Sequence, residues 1–522
     1  MFLTALWLII IFIVNPIGDF PLNDDWAYAY TVQHLIDEGH FKLLNWGEMT
    51  LVAHVGVGYL FSLLFDFSFT TLRFSNLFIS WIGIIGFYEL CRTISYKKYF
   101  SLLLTLILIF NPVFLSLAFT YMTDTSYLTW ITLSLLFFLK IDKRFNRMHL
   151  FLAILFCFIA LMIRQLALTL PLAWMIYCIL TKRSNKQFWV LTLSPMLVIS
   201  LFYFSYQYFM NKWGLLAPRY NEKASLLFES IYNLDLNLIV NALGYLIISI
   251  CYMGLFYLPL LFIAFKILPS KSLRAFILSS SLGITFLLAF FNKLIPSLNG
   301  VLVDFGVGLI SLYGLNMNVS VSPPPNASFL FWIIITFIGC FIGLAFLTII
   351  FLAIYNKNKS MYNNYHLFGI ILTAVYLVPF LIVGVYDRYL ICLFPFLAVA
   401  LYPILKNIEW TKTRMIFPLF LCFCLGFFSI LATHDYLSWN RSRWIAIDQI
   451  LNVQEIPKEQ FNGGIEYLTY YFFDEDLDEW WVKNSSEYQL SFIPDTNTII
   501  LKEYHYDRWL PGEGIFFLTQ KQ

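Results

Sequence analysis

Along most of this chain the apolar residues run on without a helical or alternating polar face. Blocks of about 17 to 25 residues are nearly free of charge, long enough to cross a bilayer as helices. The pattern predicts about thirteen spans, near residues 1–17, 74–91, 99–118, 121–139, 148–163, 166–181, 188–210, 236–265, 275–291, 328–354, 366–385, 389–405 and 413–432. Residues 148–181 form one apolar stretch broken only by Arg164-Gln165, and they pose a choice between one span and two.

Basic residues decide it. They gather at Arg92/Lys97/Lys98, Lys140/Lys143/Arg144/Arg147, Lys182/Arg183/Lys186, Lys266/Lys271/Arg274, Lys357/Lys359 and Lys406/Lys412/Arg414. Positively charged loops stay in the cytoplasm. Each pair of successive clusters then encloses an even number of spans, so 148–181 is expected to be a hairpin of two short helices turning at Arg164. The N-terminus is expected inside and the C-terminus outside, in a multi-pass plasma-membrane protein.

Four polar stretches then face outward: a first loop at 18–73, a second at about 211–235 with Pro218 and Arg219, a third at about 292–327 with Pro323-Pro324-Pro325, and the tail, 433–522. The tail carries fifteen acids and seven bases, a balance of −8, in a protein whose net charge is +2. Trp439 to Leu451 reads as helix, and Tyr488–Ile493, Thr496–Tyr504 and Gly514–Thr519 read as short strands. The expected architecture is mainly α: a transmembrane domain over 1–432 and a small external α/β domain over 433–522. No internal repeat of the kind that builds many transporters is evident.

The composition agrees, with 60% hydrophobic and only 12% charged residues, against about 25% charged in soluble domains. The first run, Phe2 to Val14, has no basic segment before it and no small-residue cleavage site, and reads as an uncleaved helix. The eight cysteines lie in or beside apolar runs and form no CxxC pair, which speaks against a disulfide framework or zinc site. There is no GxxxxGK[ST], no GxGxxG and no basic nucleic-acid stripe, so ATP-driven transport and nucleic-acid binding have no support. The Asp474–Glu479 acids lack the glycine and terminal glutamate of an EF-hand loop and read as a solvated face.

Against this background a few charges stand out. Asp24 and Asp25 follow the first span, Asp124 opens the fourth, Arg164 sits at the hairpin turn, and Asp387-Arg388 interrupts two late spans. Ionised groups are costly within a bilayer, and the topology places all of these at one external face. Asn23 or Asp24 can cap a helix running to Asp37, with Gly39 ending it. Capping is also an alternative role for Asp124, and local neutralisation one for Asp387-Arg388. Neighbours on a helix point about 100° apart, so Asp24 and Asp25 cannot easily serve one atom; one is expected to act as base, the other to orient it or hold a metal.

Four segments carry a family resemblance. Asn23-Asp24-Asp25-Trp26-Ala27-Tyr28-Ala29 resembles the first-loop acidic pair of the GT-C membrane glycosyltransferases, in their protein O-mannosyltransferase-like and aminoarabinose-transferase-like branches. Phe119-Thr120-Tyr121-Met122-Thr123-Asp124 resembles the second acidic segment, Arg164-Gln165 the arginine between two short spans, and Asp387-Arg388-Tyr389-Leu390, followed by Pro395, the late Arg-Tyr segment. The chain departs from the pattern in having Asp25 where Glu is common, and in having no evident basic-proline segment after the first-loop helix. The resemblance covers roughly residues 1–435.

It implies transfer of a sugar from a polyprenyl-phosphate donor to a lipid, glycan or protein hydroxyl outside the membrane. Asp24 inherits the role of base, Asp25 and Asp124 complete the catalytic set, Arg164 and Arg388 bind the donor phosphate, and Gln165 and Tyr389 orient. A divalent metal, Mg or Mn, is an open expectation; Asp24, Asp25 and Asp124 are its expected ligands. The alternatives are a transporter or polymerase of lipid-linked glycans, or an assembly protein whose tail is an interaction module.

Overall fold

A computed structural model describes residues 1–181, 188–216, 220, 222–233, 236–298, 300–302, 328–355, 364–406, 408, 412–474, 486–492, 494 and 497–522. The basic clusters at Lys182–Lys186 and Lys357–Lys359, the Pro218-Arg219 pair, the Pro323–Pro325 run and the acids from Glu475 to Glu479 lie outside them.

The chain is mainly helical. The first helix, α1 (Phe2–Val14), leads into a loop that carries α2 (Asp25–Asp37) and α3 (Val52–Phe65). The long α4 (Phe69–Thr93) follows. It begins five residues earlier than the hydropathy suggested because Ser68 caps it, its hydroxyl accepting from the Thr71 amide. The apolar α3 sits inside what the sequence presented only as loop. The expected span at 99–118 is broken into α5 (Lys98–Ile109) and α6 (Pro112–Ala118), bent by 66°. Asn111 and Pro112 are the cause: the asparagine side chain accepts from the amides of Val113 and Phe114, starting a new helix with proline in its first turn.

Next come α7 (Thr123–Lys143), α8 (Arg147–Leu161) and α9 (Thr169–Leu180), the last preceded by a 3₁₀ turn at Gln165–Leu168. The hairpin expected at Arg164 is therefore present; Arg164 itself is extended, with φ −145° and ψ 136°. Beyond it lie α10 (Phe188–Lys212), α11 (Glu222–Tyr232) and α12 (Leu236–Phe256). The expected span at 236–265 ends early because Pro259 interrupts it, and α13 (Leu261–Ile267) continues after a 3₁₀ turn. The remaining helices are α14 (Lys271–Phe290), α15 (Phe329–Tyr355), α16 (Asn364–Val383), α17 (Asp387–Leu390), α18 (Leu393–Ala400) and α19 (Tyr402–Leu405), so residues 389–405 form short pieces rather than one span. Finally α20 (Lys412–Asn452) runs for 41 residues, straight through the expected domain boundary at 432.

Among the described residues seven helices are long and apolar enough to cross a membrane, eight if the bent pair counts as one, and five apolar helices are shorter. This is a multi-pass membrane protein. One tight seam joins α12 and α15, where a methyl group on Gly254 would overlap the Gly339 carbonyl oxygen. Small residues let the two backbones touch, as lipid-embedded helices require.

The tail holds a short strand β1 (Phe461–Asn462), α21 (Ile465–Phe472), and strands β2 (Tyr488–Ser491), β3 (Thr498–His505) and β4 (Ile515–Lys521), in the sheet order β1-β2-β4-β3. β1 and β2 are parallel and the other pairs antiparallel. The three strands expected from the sequence are these last three. The tail is fastened to α20 by Asp435, whose carboxylate accepts from the amides of Trp509 and Leu510 at 2.8 Å each, while His434 stacks on Trp509.

Candidate active site

The site is assembled at breaks in helices, where backbone groups are free and the chain can turn. The first loop is anchored by a residue that hydropathy hid. Arg73, fully buried in α4, donates to the carbonyls of Pro16, Gly18 and Phe20, and its guanidinium lies 4.3 Å from the Phe20 ring. The end of the loop is clasped by the hairpin turn: the amides of Leu51 and Ala53 donate to the carbonyls of Ile163 and Met162, and Gln165 Nε2 donates to the Glu48 carbonyl at 3.0 Å. Gln165, expected to orient substrate, is thus engaged in orienting the loop.

Asp24 and Asp25 diverge at the start of α2, as their helical offset requires. Asp25 points inward. Its Oδ1 accepts from the Leu22 amide at 2.6 Å and its Oδ2 from the Tyr121 amide at 3.2 Å. It therefore ties the first loop to the Met-Thr-Asp segment, and burial pushes its carboxyl up to about 7, with Arg73 pulling the other way. This is a positioning role: both oxygens are spent on backbone amides. Asp24 points outward. Its Oδ1 accepts from Trp46 Nε1 at 3.2 Å and its Oδ2 faces Arg388 Nη1 at 3.4 Å, and the side chain is 27% exposed.

Asp124 and Arg164 form the second charge pair, at 2.8 Å and almost completely buried. Thr123 Oγ1 accepts from Arg164 Nε and Nη2 at 3.0 and 2.7 Å, which sets the plane of the guanidinium. The other carboxylate oxygen, Asp124 Oδ2, is buried and accepts no hydrogen bond among the described residues. A buried acceptor left unmet is costly.

The two pairs meet at Tyr389. Arg164 and Arg388 lie 5.5 and 5.6 Å from its ring centroid, in cation–π range. The ring stacks on Phe380 at 4.7 Å, and its backbone carbonyl accepts from the Tyr376 hydroxyl, which fixes its place. Beside Arg388, Asp387 turns away to accept from the amides of Val301 and Leu302, at 2.8 and 2.9 Å. Tyr28, buried in α2, feels Asp24, Arg388, Arg164 and Asp124 together; burial above all, then Asp24, raises its phenol above the usual range. Five of the seven expected site residues, Asp24, Asp124, Arg164, Arg388 and Tyr389, thus form one cluster of two carboxylates, two guanidinia and an aromatic ring.

No family model matches the chain, and no curated protein matches it. Solved structures do. A crystal structure of ArnT from Cupriavidus metallidurans bound to undecaprenyl phosphate is 13% identical, over 99% of this chain and 97% of that one, with a TM-score of 0.43. The same protein in the apo state is 13% identical, over 90% of this chain and 83% of that one, with a TM-score of 0.41. ArnT is an aminoarabinose transferase of the GT-C superfamily. A likeness at this level decides neither family nor activity, and the functional reading rests on the residues of the site.

The expected metal set does not come together. Among the described residues no three His, Cys, Asp or Glu side chains form a group that could hold a metal ion. Asp25 is committed to two amides, and Asp24 and Asp124 face different arginines. Sequence reasoning missed Arg73, Trp46 and Thr123. Arg73 lies in the second turn of an apolar helix, and a charge so placed is a readable signal of a buried partner; Trp46 and Thr123 carry none. A cavity of about 630 Å³ lies elsewhere, between α1, α3 and α4, lined by Trp7, Phe61, Phe78 and Trp81 among others and by no charged residue.

Proposed function

We propose that this chain is a membrane glycosyltransferase that moves a sugar from a polyprenyl-phosphate donor to an acceptor hydroxyl at the external face of the plasma membrane. The supporting observation is the pair of guanidinia gathered over Tyr389, one of them beside a partly exposed carboxylate. Paired arginines suit a phosphate that gains charge as it leaves, and a carboxylate at their edge suits the acceptor's proton.

In this reading the acceptor oxygen attacks the anomeric carbon from the side away from the phosphate. Its proton passes to Asp24. The bond from the anomeric carbon to the phosphate oxygen breaks, and the polyprenyl phosphate leaves with the bonding electrons, its charge held by Arg388 and Arg164. Asp124 Oδ2, unmet in the protein alone, accepts a hydroxyl of the donor sugar. A single displacement inverts the anomeric centre. A topology with the N-terminus cytoplasmic and the tail outside belongs to the same proposal, since it puts the cluster at the external side. In the proposed topology the charges lie at span ends, whereas transporters place their charged site near the midplane.

The test is transfer of radiolabelled sugar from a panel of polyprenyl-phosphate sugars in membranes. Wild type is expected to label an acceptor with one donor. Asp24→Asn is expected to lower the rate by about 10²–10⁴-fold with the protein still present and folded. Full activity in Asp24→Asn sinks the assignment of the base, and absence of label with every donor, given folded protein and acceptors, sinks the transferase reading.

A further inference from the structure

The tail reaches the site through aromatic rings. Phe473, at the end of α21, lies 5.2 Å from Trp26 and 5.8 Å from Trp46, edge-on to the latter at 87°. Trp26 and Trp46 lie 5.7 Å apart, so the three rings form a closed triangle. Trp46 is the residue whose indole N–H donates to Asp24 Oδ1.

The tail side of this contact is built firmly. α21 is held to α20 by a buried ion pair, Arg443 to Glu466 at 3.0 Å, with the guanidinium 4.7 Å from the Trp439 ring. A second tie runs alongside: Asn23 Nδ2, next to Asp24, donates to the Tyr436 hydroxyl of α20 at 2.9 Å. Asn23 has a positive φ of 56°, a conformation that needs holding in place. Trp46, which donates to Asp24, and Asn23, which precedes it in the chain, both touch residues beyond 432.

We propose that the C-terminal unit is a working part of the transfer site: Phe473 wedges Trp46 so that its indole N–H holds the Asp24 carboxylate in the orientation that accepts the acceptor's proton. Trp46 and Phe473 are positioning residues. The indole occupies Oδ1 and Arg388 faces Oδ2, so without the indole the carboxylate is free to turn toward the arginine, away from the acceptor. The proposal rests on the reading of Asp24 as the base.

Trp46→Phe removes the N–H and keeps an aromatic ring in the triangle. Phe473→Ala removes the wedge, and Phe473→Leu restores bulk without an aromatic face. For Trp46→Phe, kcat is expected to fall about tenfold and the acid limb of the kcat profile to move up by about one pH unit, since a hydrogen bond to the charged form is lost. KM for the polyprenyl donor is expected to stay unchanged. Phe473→Ala is expected to shift both in the same direction, and Phe473→Leu to recover most of the change. A change of KM alone, or a loss of kcat with an unmoved acid limb, overturns the proposal.

Infrared titration of the protein with ¹³C-labelled aspartate, with Asp24→Asn as the blank, gives a readout independent of turnover. Its Asp24 carboxylate stretching band is expected to shift in frequency in Trp46→Phe and Phe473→Ala relative to wild type, since a hydrogen bond to the carboxylate is lost. Transfer by wild type with no such shift overturns the positioning role and leaves the transferase reading standing. A shift in a protein that transfers no sugar supports the positioning role and removes the transferase reading.

Discussion

Replacing Asp124 with asparagine removes one charge from a pair sealed inside the bundle. The Arg164 and Asp124 side chains are 6% and 1% exposed and meet at 2.8 Å. Asparagine keeps the shape and still accepts from Nη2, but it leaves the guanidinium with neutral support alone, from the amide, the Thr123 hydroxyl and the Tyr389 ring. Breaking a buried pair from one side costs about 3–5 kcal/mol. The chemically identical change Asp24→Asn acts on a longer pair, 3.4 Å apart, whose carboxylate is 27% exposed, so solvent makes up part of the lost charge and the cost is smaller. The two variants are therefore expected to separate. Both lose transfer, but only Asp124→Asn loses monodisperse protein at clearly lower temperature when heated in detergent. The double variant Asp124→Asn/Arg164→Met discards both charges and is expected to regain much of that stability while staying inactive, because a cation for the phosphate is gone. If Asp124→Asn melts with wild type, or the double variant melts no higher than the single one, the energetic argument for this pair is refuted.

Two further outcomes follow from the packing. Asp25 holds a proton in the folded chain up to about pH 7 but releases it near its ordinary value when unfolded. Its stabilising contribution is thus complete below about pH 4 and lost as the pH rises through 7, a difference of about 4 kcal/mol over the window; stability of wild type against pH should fall more steeply there than that of Asp25→Asn, and parallel curves refute the burial argument. At the α12–α15 seam, Gly254→Ala should cost about 1–3 kcal/mol as overpacking against the Gly339 carbonyl, whereas Gly283→Ala, whose added methyl meets nothing within 4 Å, should not; equal thermal shifts in detergent contradict the close approach.

What the sequence revealed was the position of the charges relative to the apolar runs. Arg164 splits an otherwise continuous stretch, and the chain turns there. Asp24 and Asp25 diverge as neighbours on a helix must. What it did not reveal was pairing. Asp24 and Arg388 are 364 residues apart, and no periodicity relates them. Asp25 resembled a chemical group, but its amide partners, Leu22 and Tyr121, show it to be a brace, and backbone partners leave no trace in side-chain patterns. Trp439 to Leu451 read as a helix, but as one separate from the last span, because hydropathy falls after 432; helix formation needs no apolar run, and α20 continues through.

That continuity makes the end of the protein a matter of phase. Helix α20 advances about 1.5 Å and turns about 100° with each residue, so its 41 residues trace a path of about 60 Å, roughly twice the hydrocarbon thickness of a bilayer. A hinged tail would tolerate an added or missing residue in its tether. A tail borne on an unbroken helix has only one angular setting that brings Phe473 over Trp46. The stretch between Thr433 and Asn452 is thereby a ruler as well as a connector, and its length in whole turns fixes which face of the small sheet looks toward Asp24.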